Sequence, residues 1–286
     1  MPAKTVIAQH AAHRDDIGDL VTRRPLPGPG VDQVDPFLFL NHHGPQVYPP
    51  GNRGLPFGPH PHRGFETVTF ILDGELAHRD SAGHESIIRA GGVQWMTAGS
   101  GLIHAEVSPD DFMRRGGPLE ILQLWVNLPS RLKMTRPRYV GVQADEIPEL
   151  SAGDGATVRL IAGTWGGVTG AVPSLTGVFM ATVELKRGAR AGFGALQGRN
   201  VFCYVARGEA AVNGVAASAC HLVQLDLPGD TVELEGLGDG ALVVFGHAQP
   251  LGEPVVAHGP FVMNTREEIV EAIRDYQAGL FDNVSA

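Results

Sequence analysis

The chain has 286 residues, enough for two ordinary domains or one large one. Its 38 glycines and 21 prolines weigh against a helix-rich fold and suit a turn-rich β protein, while 43% hydrophobic residues allow a sizeable core. The net charge of −9, with no basic stripe, argues against direct nucleic-acid binding. No apolar run approaches membrane-spanning length, and the first residues lack the apolar segment of a secretory leader. Cys203 and Cys220 form no CxxC pair and are expected to be reduced, partly buried thiols, so the expected location is the cytoplasm.

In chain order, Glu66–Leu72 is the first clear strand expected, rich in β-branched residues. Asp73-Gly74 reads as a hairpin turn that returns the chain through Glu75–Asp80. After a turn at Ser81-Ala82-Gly83, strands are expected at His84–Arg89, Val93–Thr97, Leu102–Val107 and Leu119–Leu128, separated by glycines and ended by Pro129. Residues 129–155 read as a crossover and linker. A second β pattern follows: Thr157–Ala162, Gly177–Leu185, Val201–Ala206, Gly208–Asn213, His221–Leu227, Thr231–Glu235 and Ala241–Gly246. Two tandem barrels fit this spacing, with domains expected at 1–135 and 136–286. Near the end, Thr265 and Glu268 form a capping-box pattern. Ile269, Ala272, Ile273, Tyr276 and Leu280 recur at helical spacing, so a helix is expected from Arg266 to Ala278 with Gly279 as its stop.

Two short patterns carry the chemistry, His60-Pro61-His62 and His104-Ala105-Glu106. In each, the outer residues are two apart, and alternate residues of a strand share a face. The strands between them return the chain beside its start, so these side chains can converge on one ion. Imidazole and carboxylate donors suit Fe, Mn, Co, Ni, Cu or Zn, and such a set leaves coordination positions open for catalysis.

The run Gly54, His60-x-His62, Glu66 and Gly74 resembles the first cupin motif, and Gly101-x-x-His104 the end of the second. More specifically, HPHRGFETVTF, GSGLIHAEV, LQLWVNL and the C-terminal HGPFVMNTREEI resemble the pirin family. The resemblance implies an all-β fold of two tandem cupin (jelly-roll) barrels with a short C-terminal helix. It also implies metal ligands at His60, His62, His104 and Glu106 in the first barrel. It places the carboxylate ligand at Glu106 and leaves Glu66 a supporting or strand residue. The implied cofactor is one divalent metal ion, Fe(II) ahead of Mn, Ni, Co, Cu and Zn. The implied activity is that of a quercetin 2,3-dioxygenase, with a flavonol and dioxygen as substrates and Glu106 also the catalytic proton acceptor. The alternative is a metal- or redox-sensing regulator acting through a protein partner.

Several other residues have two readings. His42-His43 lines the pocket mouth or is an exposed loop pair. Gln123 hydrogen-bonds substrate or is a satisfied sheet residue. Phe57, Trp95, Met96 and Trp125 form an apolar wall or ordinary core. His78, His84, His221, His247 and His258 read as non-ligands, with the segment around His258 folding back onto the first barrel. Arg190–Leu196 offers no ligand side chain, so the second barrel is expected to hold no metal.

Overall fold

The computed structural model describes residues 2–282, and the chain is predominantly β. It divides into two compact units. One comprises residues 1–14, 23–40 and 145–250; the other comprises 15–22, 41–144 and 251–286.

The unit holding the two histidine patterns is built from two sheets. In one, the strands lie in the order Phe57–His62, Leu102–Val107, Glu75–Asp80, Glu85–Arg89. The other carries, in order, Arg138–Val142, Val93–Thr97, Phe65–Asp73 and Gly117–Asn127. Leu102–Val107 alternates between buried and half-buried positions, so Leu102, His104 and Glu106 share one face. Phe65–Asp73 is buried at its first seven positions, on both faces, which is why its sequence reads as nearly continuous apolar and β-branched residues.

Asp73-Gly74 is not the hairpin turn that the sequence suggests. The strands before and after it belong to different sheets, so this is a corner where the chain changes sheet. The corner still requires glycine. Gly74 has φ +84°, and a Cβ there would sit 2.6 Å from the Pro118 carbonyl oxygen. The actual hairpin joins Glu75–Asp80 to Glu85–Arg89, around Ser81-Ala82-Gly83. Residues 129–155 are also more than a linker. Arg138–Val142 pairs with Val93–Thr97, and Glu149–Gly153 pairs with Ala156–Ala162. Both are sheet-edge strands, largely exposed or half-buried, so they lack the apolar signature of inner strands. The six-residue helix Asp110–Arg115 also escaped the sequence reading, being too short for a periodic signal.

The expected boundary near residue 135 is corrected by strand pairing. Val6–Ala11 pairs with His221–Leu225, so the N-terminal segment belongs with residues 145–250. The C-terminal segment belongs with the histidine-bearing unit. There Phe261, Met263, Ile269, Ala272 and Phe281 form one apolar cluster. The C-terminal helix runs Arg266–Gln277 with both halves of the Thr265/Glu268 capping box formed, and Gly279 follows at φ +75°.

The other unit has one large sheet, ordered Val6–Ala11, His221–Leu225, Asn200–Val212, Val232–Ala248, Phe179–Leu185, Ala156–Ala162, Glu149–Gly153. Asn200–Val212 unites two expected strands across an irregularity at Gly208, where a Cβ would come within 1.9 Å of the Gly240 carbonyl oxygen. Val232–Ala248 likewise unites two. The interior is apolar throughout, from Val158 and Leu160 to Phe193, Cys203 and Phe245.

Candidate metal centre

His60 and His62 end the strand Phe57–His62, and the antiparallel register sets His104 directly opposite His60 and Leu102 opposite His62. The three imidazoles therefore meet on one face of adjoining strands. Ring centroids are 4.8 Å apart for His60–His62, 4.4 Å for His60–His104 and 5.0 Å for His62–His104. One nitrogen from each lies within 4.8 Å of the others.

Hydrogen bonds orient two of these rings. His60 Nδ1 lies 2.7 Å from the Gly58 carbonyl oxygen, and His62 Nδ1 lies 3.3 Å from that of Pro260. A carbonyl only accepts, so each Nδ1 carries the proton and each Nε2 keeps a lone pair. His104 is different. It is buried, and neither ring nitrogen has a hydrogen-bond partner among the described residues. An unpaired buried polar group is costly, and a metal ion is the partner this donor set fits. Burial, then the neighbouring His60, holds His62 down at about 3; burial, then His62 and His60, keeps His104 well below the usual imidazole range. Both rings are therefore neutral at physiological pH, the form in which imidazole ligates a cation.

Glu106 lies on the same strand face as His104 and is buried, but the convergent group closes on the three histidines without it. Its carboxylate accepts from Thr69 Oγ1 at 2.7 Å and from Gln123 Nε2. Thr69 and Gln123 are register partners in the facing sheet. Gln123 thus points inward, but its amide serves Glu106. Glu66 sits on the opposite face of its strand from Phe65 and Thr69, and accepts from Thr97 Oγ1 at 2.7 Å. Burial raises its carboxyl pKa.

The wall around His62 is formed by Trp125, at 5.4 Å between centroids, and Phe65, at 5.0 Å, which also contact each other. Of the other expected wall residues, Phe57 packs on His43, Met96 joins a cluster with Ala98 and Leu102, and Trp95 is buried in the sheet. His42 and His43 are neither exposed nor at a mouth. His42 Nε2 bonds Glu120 at 2.7 Å, and His43 Nδ1 bonds Thr22 Oγ1 at 2.8 Å. The segment after His258 does reach the histidine-bearing unit, where Pro260 meets His62.

Sequence reasoning missed Phe65, Thr69, Pro260 and the stacked pair His78–Tyr139, whose imidazole lies 5.5 Å from that of His104. The alternation along Phe65–Asp73 could have flagged Phe65 and Thr69. Pro260 is distant in sequence and contributes a backbone atom, which leaves no residue-type signal.

Two barrels in one chain, one of them lined by convergent histidines, define a bicupin. The first half matches the pirin family model over residues 10–126, and the second matches the pirin C-terminal cupin domain over 180–282. A pirin-like protein of Caulobacter vibrioides is 38% identical over 285 residues, covering 98% of this chain and 100% of that one. A pirin-like protein of Arabidopsis thaliana is 40% identical over 251 residues, covering 85% and 78%. A crystal structure of quercetin 2,3-dioxygenase from Acinetobacter baumannii superposes with a TM-score of 0.91 at 34% identity, covering 99% of each chain. The chain belongs to the pirin family.

Proposed function

We propose that this chain is a metal-dependent dioxygenase that opens the heterocycle of a flavonol such as quercetin. The observation that carries the reading is the buried, partnerless imidazole of His104 beside His60 and His62. The similarity to a protein named quercetin 2,3-dioxygenase supports the substrate class. His60, His62, His104 and Glu106 would hold the ion, and Fe(II) is the first candidate. A bound divalent cation supplies Lewis acidity toward an oxygen-rich substrate, lowering the pKa of a coordinated hydroxyl.

The protein's own groups supply the rest. Gly58 and Pro260 fix the tautomers of His60 and His62, so their lone pairs are presented without rearrangement. Thr69 and Gln123 donate to the Glu106 carboxylate and orient it, and this carboxylate would accept the proton of the flavonol 3-hydroxyl. Phe65 and Trp125 give a flat aromatic substrate an apolar wall and exclude water from the reacting oxygen atoms.

The test is oxygen uptake with quercetin, using protein reconstituted separately with Fe(II), Mn(II), Ni(II), Co(II), Cu(II) and Zn(II). Turnover with at least one ion, lost in His104→Ala, is the expected result. Stoichiometric metal binding with no oxygen uptake under any ion would overturn the enzyme reading and favour a metal-sensing role through a protein partner.

A further inference from the structure

The unit without the histidine trio has a binding-sized feature of its own. A cavity of about 260 Å³ opens between Trp165, Phe179, Phe193, Gly194, Arg199 and His247. Its floor is aromatic. His247 stacks on Phe179 at 4.7 Å and 5°, Phe193 stacks on Phe245 at 4.1 Å, and Trp165 lies 5.8 Å from Phe193.

Two lining residues, Arg199 and His247, each keep a donor without a protein partner among the described residues. Arg199 Nε donates to His247 Nδ1 at 2.6 Å, and Nη2 donates to the carbonyl oxygens of Gly177 at 2.8 Å and His247 at 3.3 Å. These bonds lock the guanidinium in place and leave Nη1 without a partner among the described residues. Because a guanidinium only donates, His247 Nδ1 must be the acceptor and Nε2 carries the proton. That N–H also lacks a partner among the described residues. Burial, and after it the charge of Arg199, holds His247 at about 3, so the ring remains a neutral donor. None of the lining residues is acidic, so the Arg199 charge has no carboxylate in the cavity.

We propose that this cavity binds a small aromatic carboxylate, its ring against the Trp165–Phe193 wall and its carboxylate on Arg199 Nη1 and His247 Nε2. The donor types set the charge of the ligand, since a fixed guanidinium edge with a second N–H suits a planar anion. The rings set its shape, because flat apolar faces favour an aromatic body. The proposed site is independent of the metal reading, because all its residues lie in the other unit.

The experiment is ¹⁹F NMR titration of 4-fluorobenzoate into the full-length protein, with 4-fluorobenzamide as the uncharged isostere. Saturable binding at roughly millimolar concentration or tighter is expected, at least tenfold weaker for the amide. Arg199→Gln should weaken benzoate binding at least tenfold. Gly194→Leu provides a second variant that keeps the fold. Gly194 lines the cavity, no atom lies within 4 Å of a Cβ there and its φ is not in the left-handed region, so a larger side chain is accommodated at this rim without displacing backbone. It should abolish binding. Carboxylates also coordinate metals, so the titration is repeated after chelation and on His104→Ala, where affinity should be unchanged. The proposal is overturned by absence of saturation, by equal affinity for the amide, by binding that survives Gly194→Leu, or by binding that disappears with the metal.

Discussion

At the scale of single residues, the two glutamates provide the sharpest test of the metal assignment. Glu106 shares the strand face of His104, whereas Glu66 faces away from Thr69 and bonds Thr97. Glu106→Gln should reduce metal affinity about tenfold or more and remove oxygenase turnover, because the charge and the proton acceptor are lost together. Glu66→Gln should leave metal content near one per chain. Elemental analysis of both variants decides the matter, and the opposite pattern would move the carboxylate ligand to Glu66. The convergence of His60, His62 and His104 was legible in the sequence because two-residue spacing on a strand is a local signal, whereas the ligand role of Glu106 is what the family resemblance implies. The partners Thr69 and Gln123 were not legible, because they come from the facing sheet and touch Glu106 only once the sheets have packed. Lys133 provides a pH test. Its ammonium is buried and donates to the carbonyl oxygens of Gly64 and Val262 and to Asn127 Oδ1. Burial lowers its pKa to about 8. The unfolded chain therefore holds the extra proton between about pH 8 and the ordinary lysine value, so this group's contribution to stability rises with pH across that window and is lost as pH falls through it. Denaturation of wild type and Lys133→Met at pH 7.5 and 10 should show wild type gaining relative to the variant. A constant or shrinking difference would contradict the assignment.

At the scale of elements, glycine corners and helix caps set the geometry. Gly74 turns the chain from one sheet to the other, with positive φ and a neighbouring carbonyl oxygen where a side chain would lie. Gly74→Ala should destabilise by ~1–3 kcal/mol, the range for a strained backbone position. Thr265→Ala should cost ~1 kcal/mol through the lost cap alone. Urea melts should therefore rank the glycine variant at least as low as the cap variant; a neutral Gly74→Ala would refute the corner argument. The sequence signal at Asp73-Gly74 was real but incomplete. It showed that the chain must turn, and the choice between hairpin and corner depended on which strands paired on either side.

At the scale of the whole molecule, the ends of the chain are exchanged between the units. Residues 251–286 belong with the histidine-bearing unit, supply Pro260 to His62 and contribute the cluster of Phe261, Met263 and Ile269. A chain ending at Pro250 should therefore lose most metal binding, although residues 145–250 are complete. Metal content of the purified truncation measures this, and full occupancy would disprove the structural role of the tail. Both thiols lie in the unit that does not hold the three histidines. Cys203 is fully buried among apolar residues, and burial pushes its thiol up to about 12. It should resist thiol reagents in the native protein, and replacing both Cys203 and Cys220 should leave metal stoichiometry and turnover unchanged.

The sequence by itself determined the β character, most inner strands, the capped C-terminal helix, the bicupin resemblance and the three histidines. Each of these is written in local spacing: alternation, glycine punctuation, a cap pattern, or a pair of residues two apart. Tertiary structure alone decided which sheet each strand joined, which ends completed which barrel, and which groups orient the rings of His60 and His62. It also decided that His104 would be buried with no protein partner. Those outcomes depend on pairing between segments far apart in the chain, and a backbone carbonyl such as that of Pro260 has no residue-type signature before the chain has folded.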